Sequence, residues 1–355
     1  MTSRKSGGLQ REASRHGWVD VAKGLCIVAV VCLYTFNALV DHQIDPGWLS
    51  TWTAFAKPFR MPDFFLISGL FLSRVIDRPW RSYLDTKVVH YLYFIVLWSL
   101  LIFLWTWGPR FGELGVFRSV KLFAYLLYRP DAMLWFLQTL SLYFVVTRLL
   151  RAVPPLLMLA VALAMRVSEY HSGIYPLDWF GEFYFFFLCG HCFAQRWFAI
   201  ADWATSHRRL AWLALPVWAV ANQWLVASGM TKQPLVLVAT GMVGIVAVIA
   251  FSALVSGQRW AQLLRYLGQR SIVVYLGFYL PLQAMVLAYG RSGAAWNVHL
   301  LGALLVIASI GAAMVLLAMT RHNAGRFLFE RPAWCRLTAA RPSRPVVAPL
   351  GTPAP

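Results

Sequence analysis

The chain alternates long apolar runs with short polar stretches, and the runs have the length of membrane crossings. A helix needs about 20 apolar residues to cross a bilayer. Runs of that kind fall at residues 18–40, 52–73, 88–107, 132–149, 153–166, 180–198, 210–228, 234–256, 271–290 and 297–320. The fifth is short and opens on Pro154-Pro155. The pattern predicts an all-α fold, a polytopic membrane helix bundle of about ten transmembrane helices. One further segment, Val116 to Tyr128, reads as an amphipathic interfacial helix with Arg118 and Lys121 on its polar side. Three regions follow: a basic N-terminal tail at 1–16, a membrane domain at 17–320, and a Pro/Arg-rich tail at 321–355 with the composition of a disordered segment.

Composition agrees. Of 355 residues, 59% are hydrophobic and 13% charged, with mean hydropathy +0.60. Soluble domains carry about 25% charged residues. The 17 Trp and 14 Tyr suit interfacial belts. The net charge of +18 raises the question of nucleic acid. The lysines and arginines answer it, because they collect in alternate loops. Arg4 to Arg15, Arg74 to Lys87, Arg148 and Arg151, Arg196 to Arg209, Arg259 to Arg270 and Arg321 to Arg344 all fall on one side of a ten-span chain. That bias puts both termini in the cytoplasm and leaves no basic module for nucleic acid. The exception is the loop at 108–131, with Arg110, Arg118, Lys121 and Arg129. No signal-peptide cleavage site follows the first apolar run.

Charges inside apolar runs are costly and mark function. The first run carries Asp20 and Lys23 near its start and Tyr34 deeper in. Lys23 and Tyr34 are eleven residues apart, which places them on one helical face about 16 Å apart. Asp20 lies one turn before Lys23, in reach of an ion pair. The second run holds Lys57, Arg60 and Asp63 between and beside Pro58 and Pro62. Those prolines predict a broken helix lining a cavity, with Arg60 pairing to Asp63 or Asp20. The competing reading has Lys57 and Arg60 snorkelling to the surface. Arg74, Arg78 and Arg81 recur at helical spacing in the first cytoplasmic loop; such clusters hold phosphates, or simply set topology. Trp135 and Glu182 stand at the outer ends of the fourth and sixth runs, where an interfacial place also explains them. His90 and His191 sit at helix ends and read as capping or solvated groups. Cys26 and Cys32 read as small core residues. The Cys189-x-x-Cys192 pair lacks the further ligands a metal site needs, so no metal is expected.

In order and spacing, five segments resemble the acyltransferase-3 family of integral membrane O-acyltransferases. They are Trp18-Val-Asp-Val-Ala-Lys-Gly, Met61-Pro-Asp-Phe-Phe-Leu-Ile-Ser-Gly-Leu-Phe-Leu, Leu134-Trp-Phe-Leu, Phe185-Phe-Phe-Leu-Cys-Gly and Leu267-Gly-Gln-Arg-Ser-Ile-Val-Val-Tyr-Leu. The resemblance covers residues 18 to about 320. It implies ten membrane helices in a bacterial inner (plasma) membrane, and transfer of an acetyl- or succinyl-like group from acyl-CoA to a carbohydrate or other cell-surface hydroxyl. It also implies membrane lipid and polysaccharide-biosynthesis proteins as partners. The family signature in the first helix is a basic residue, ten others, then a histidine acting as general base. Lys23 stands at the basic position and Tyr34 at the histidine position. Arg60 and Phe278 likewise stand where relatives often have histidine. On this resemblance Tyr34, Lys23 and Asp20 form the catalytic line, Arg60, Asp63, Trp135 and Glu182 the acceptor site, and Arg74 and Arg78 meet the CoA phosphates. An ordinary tyrosine, with pKa about 10, is a weak base at neutral pH. That leaves open another base, or a non-catalytic member acting as pseudoenzyme or transporter in polysaccharide export.

Overall fold

The structure is a computed structural model. It describes residues 2–130, 133–168 and 172–337, except for the side chains of 2–16 and Leu114. The basic tail at 1–16 and the tail beyond Leu337 therefore lie largely or wholly outside what is described. Fifteen α-helices lie among the described residues: α1 (Thr2–Asp41), α2 (Trp48–Leu70), α3 (Trp80–Leu84), α4 (His90–Trp107), α5 (Phe111–Tyr128), α6 (Trp135–Leu149), α7 (Pro155–Val167), α8 (Tyr175–Cys192), α9 (Ala194–Ser206), α10 (Arg208–Ala227), α11 (Pro234–Val255), α12 (Ala261–Gln269), α13 (Ser271–Gly277), α14 (Tyr279–Ser292) and α15 (Val298–Thr320). No strand occurs among the described residues. Each apolar run of the sequence falls on one of these helices or on an adjacent pair, and the protein is a polytopic membrane helix bundle.

Six segments are long and apolar enough to cross a membrane on their own: Gly17–Asp41, Trp80–Glu113, Arg208–Ala227, Pro234–Val255, Ser271–Ser292 and Val298–Thr320. The remaining four passes are α2, α6, α7 and α8. Helix α2 carries Lys57, Arg60 and Asp63, α6 and α7 are short, and α8 carries Asp178, Glu182 and His191. Helices α2, α6 and α7 each pack on α8. A segment that cannot face lipid on its own merits is tolerated where its polar groups meet protein or a cavity.

Contacts define two ends. At one, Asp20 meets Gln269, Asp77 meets Arg151, and Asp85 meets Arg331. This end gathers the loops rich in lysine and arginine and is called the basic end. At the other, the far end, Trp48 meets His299 and Arg129 lies over Tyr175.

Helices in a bilayer gain little from the hydrophobic effect, so close packing over small residues holds them together. Two crossings show this. A Cβ on Gly24 of α1 would overlap the Leu264 carbonyl, and one on Gly268 of α12 would overlap that of Asp20. The crossing of α2 with α8 has the same form, with Gly69 against Phe187 and Gly190 against Leu66.

Two expectations change, and a third, the interfacial helix, is found. First, α2 is unbroken through Pro58 and Pro62. Pro62 has no N–H for the Pro58 carbonyl, and that carbonyl lies against Gly241 of α11. The ladder is also interrupted at the α13–α14 junction, where Pro281 offers no N–H to the Gly277 carbonyl while Phe278 keeps helical φ/ψ. Second, the interfacial helix forms as part of α5, after a break at Gly115 (φ 69°). Its Val116, Phe117 and Val120 are exposed beside Arg118 and Lys121. Third, residues 321–337 are packed where composition predicts disorder. Two 3₁₀ turns, Ala324–Leu328 and Ala333–Cys335, cross the basic end. Arg331 forms a buried ion pair with Asp85 at 2.9 Å. Trp98 Nε1 donates to the Leu328 carbonyl at 3.1 Å, and Tyr93 donates to that of Phe327 at 2.8 Å. Arginine and proline lower the hydropathy of this segment, but its Phe329 is buried, with its ring beside that of Trp98.

Candidate functional site

The far end encloses a cavity of about 340 Å³. Helix α1 contributes Val30, Tyr34 and Asn37; α2 contributes Lys57, Arg60 and Met61; α6 contributes Trp135; α7 contributes Arg166; α8 contributes Trp179 and Glu182. Four of the predicted site residues, Tyr34, Arg60, Trp135 and Glu182, therefore meet around one space. Its walls are aromatic. Trp135 stacks on Trp179 with centroids 4.2 Å apart, and Trp179 stacks on Phe183. The Trp135 indole N–H lies within electrostatic reach of the Tyr34 hydroxyl. Tyr34 also packs against Phe278 and Tyr279 at the α13–α14 junction. A rigid aromatic wall with a few charged groups is a small-molecule site, and flat rings suit the apolar faces of a sugar.

The charged groups are held differently from one another. Arg166 is buried and paired to Glu182 at 3.1 Å. Arg60 is buried, and its Nε and Nη1 have no hydrogen-bond partner. Asp63 is fully buried and does not line the cavity. It accepts a hydrogen bond at Oδ2 from Cys26 Sγ at 2.6 Å, while its Oδ1 has no hydrogen-bond partner. The expected pairing of Arg60 with Asp63 or Asp20 is thus absent from the ion pairs among the described residues. Three residues along α2 turn Asp63 toward α1 and Arg60 into the cavity. Cys26 is more than a filler: it satisfies a buried carboxylate oxygen.

Asp20 and Lys23 do not reach the cavity. They sit near the basic end of α1. Asp20 accepts at Oδ2 from Gln269 Nε2 at 3.0 Å, and no ion pair joins it to Lys23 among the described residues. Lys23 Nζ lies 6.0 Å from the centre of the Phe71 ring, and the Arg74 guanidinium lies 5.1 Å from the same centre. Lys87 lies within electrostatic reach of Lys23 and Arg78. Lys23 and Arg74 thus flank Phe71, Lys87 lies over Phe144 nearby, and with Arg78 they form a basic cluster in which Arg74 and Arg78 are exposed. The catalytic line expected on one face of α1 is in the structure two sites, joined by α1 over about three helical turns.

Arg166 and Trp179 line the cavity without having been singled out by sequence. Arg166 ends a short run, where a basic residue is ordinary, and its partner Glu182 lies on the next helix. Trp179 is one of many interfacial aromatics. His90 and His191 lie at the basic end, and no histidine lines the cavity among the described residues.

Fold and site together define a polytopic membrane protein with an aromatic, charged cavity inside the bundle and a basic cluster at its opposite end. A family model described as an acyltransferase domain matches residues 16–318, and the chain belongs to this acyltransferase-3 family of membrane proteins. Among known relatives, the chain is 27% identical over 187 residues to the inner membrane protein YcfT of Escherichia coli. That match covers 46% of this chain and 51% of YcfT, so the chain spans about half the length of that relative. It is also 27% identical over 282 residues to the nodulation protein NolL of Sinorhizobium fredii, covering 72% of this chain and 75% of NolL. No solved structure matches the chain.

Proposed function

We propose that the protein is an O-acyltransferase of a bacterial inner membrane that moves an acetyl- or succinyl-like group from acyl-CoA to a hydroxyl of a carbohydrate. The observation that carries this reading is the pair of polar sites on α1, one basic and exposed, the other aromatic and enclosed. A cavity of about 340 Å³ is too small for a whole CoA but suits a sugar unit or an acyl group. The CoA phosphates meet Lys23, Arg74 and Arg78 at the basic end, while the acceptor packs on Trp135 and Trp179 and is oriented by Glu182. The acceptor oxygen attacks the thioester carbonyl carbon. A C–O bond forms, the C–S bond breaks, and CoA leaves as the thiol after taking up the hydroxyl proton. Tyr34, at the position of the family histidine, relays that proton. Asp20 keeps the Lys23 end of α1 seated on α12. Asp63 and Cys26 fix α2 against α1 and so aim Arg60.

A second reading, a non-catalytic family member serving polysaccharide export or modification, is favoured by the lack of a histidine among the described cavity residues. Purified protein separates the two. Transfer of labelled acetyl or succinyl from CoA to an oligosaccharide supports the enzyme. No turnover with any acyl-CoA, together with substrate movement in proteoliposomes, supports the carrier.

A further inference from the structure

The bundle buries three arginines, Arg60, Arg148 and Arg166. An ion taken out of water costs several kcal/mol unless it is paired or coordinated. Two of the three are compensated within the protein. Arg166 is paired with Glu182. Arg148 leaves its Nε and Nη1 without hydrogen-bond partners, but it donates to the Arg78 carbonyl through Nη2, and its guanidinium lies over the rings of Trp80 and Tyr83, at 4.2 and 4.4 Å. Such cation–π contacts offset part of a desolvation cost. Arg60 has neither an ion pair nor a ring stacked on it among the described residues, and its Nε and Nη1 lack hydrogen-bond partners. It lines the cavity, with Lys57 one helical turn away on the same lining face. Since Arg166 and Glu182 cancel, the cavity lining keeps two further positive charges, buried Arg60 and, at its exposed edge, Lys57.

We infer that Arg60 is the binding group for an anion, a carboxylate or phosphate, carried by the ligand that enters the far-end cavity. Guanidinium is suited to this, because its planar donors match two oxygens of either group. The anion belongs to the acceptor, as in an acidic or phosphorylated sugar, or to the transferred group, as in a dicarboxylic acyl. Naming these two carriers rests on the acyl-transfer reading; the anion site itself does not. The ligand would complete Arg60's hydrogen bonds, and neutral analogues would leave them unmade.

The test is calorimetric titration of the full-length protein in lipid nanodiscs with glucuronate, glucose 1-phosphate, succinate and neutral glucose. At least one anion is expected to bind saturably, and glucose about tenfold or more weaker. Glucuronate or glucose 1-phosphate as the tightest binder assigns the anion to the acceptor; succinate assigns it to the acyl group. Arg60→Gln is expected to weaken that binding by about tenfold or more, and Arg60→Lys by less. Glucose binding as tightly as the anions, none of the three anions binding, or a folded Arg60→Gln protein binding as the parent does, would each overturn the proposal. The selectivity of the parent protein decides the matter even if Arg60→Gln does not fold. Failure here leaves acyl transfer to a neutral hydroxyl untouched, and absence of acyl transfer leaves the titration valid.

Discussion

At the far end of α1, the polar groups gather around a cavity, and several are fixed by neighbours. Arg166 holds Glu182, Trp179 holds the Trp135 ring, and Phe278 and Tyr279 pack on the Tyr34 ring. At the basic end, Arg74 and Arg78 are exposed and no described ion pair ties them down. Enclosed groups do chemistry by being preorganised, and moving them costs rate. Exposed cations attract a polyanion from solution, and removing one costs affinity in a salt-dependent way. Under the proposed function, the contrast would put the transfer step at one end and capture of the donor at the other. It also predicts that changes at the two ends register in different quantities.

The largest effect should come from unseating the cavity walls. Gly190→Leu would place a side chain on the Leu66 carbonyl and force α8 off α2, the helix that carries Arg60. We expect little or no monodisperse protein in detergent by size-exclusion chromatography. A well-folded variant of parental melting temperature would show that the crossing does not fix the cavity. Next comes the packed segment at the basic end. Arg331→Leu leaves Asp85 buried without its charge partner, at a cost of about 3–5 kcal/mol. Thermal unfolding should show the loss, and the Arg331→Leu, Asp85→Leu double variant should recover part of it. Equal stability of parent and single variant would mean that residues 321–337 merely rest on the bundle.

The bundle was legible because ten apolar runs leave little choice at a bilayer. Its discontinuities were not. Pro58 and Pro62 read as a break, but a glycine on a sequence-distant helix accommodates the freed Pro58 carbonyl. Phe278 reads as the middle of a span and stays helical there, but Pro281 removes one bond of the ladder beside it. In the site, Tyr34, Arg60, Trp135 and Glu182 stood out as polar or aromatic groups in apolar runs, and the fold brings them together. The pairings did not stand out. Asp63 bonds to Cys26 and Asp20 to Gln269 because helix crossings choose partners, whereas spacing along one helix suggested Arg60 and Lys23. Arg166 and Trp179 were hidden by position, since each has an ordinary reason to stand at a membrane surface.

A smaller but more telling effect is expected at Tyr34. Tyr34→Phe keeps the ring against Phe278 and Tyr279 and removes only the hydroxyl. If that hydroxyl relays the acceptor proton, kcat should fall by about a hundredfold with little change in the donor KM. Tyr34→His should retain activity, because an imidazole is a stronger base at neutral pH. Unchanged turnover in Tyr34→Phe would remove Tyr34 from the chemistry.

The smallest effect belongs to the exposed cluster. Arg74 lies over the Phe71 ring at the basic end, and an exposed charge contributes about 1 kcal/mol or less to an interaction. Arg74→Ala should therefore raise the KM for acyl-CoA about threefold to fivefold and leave kcat nearly unchanged. The increase should shrink at high salt, where screening has already weakened the contact. This salt dependence separates the two ends more sharply than the size of the effect does. The Tyr34→Phe defect arises in an enclosed site and should persist at every ionic strength. An Arg74→Ala defect that falls on kcat and ignores salt would place Arg74 in the transfer step and erase the division between capture and chemistry.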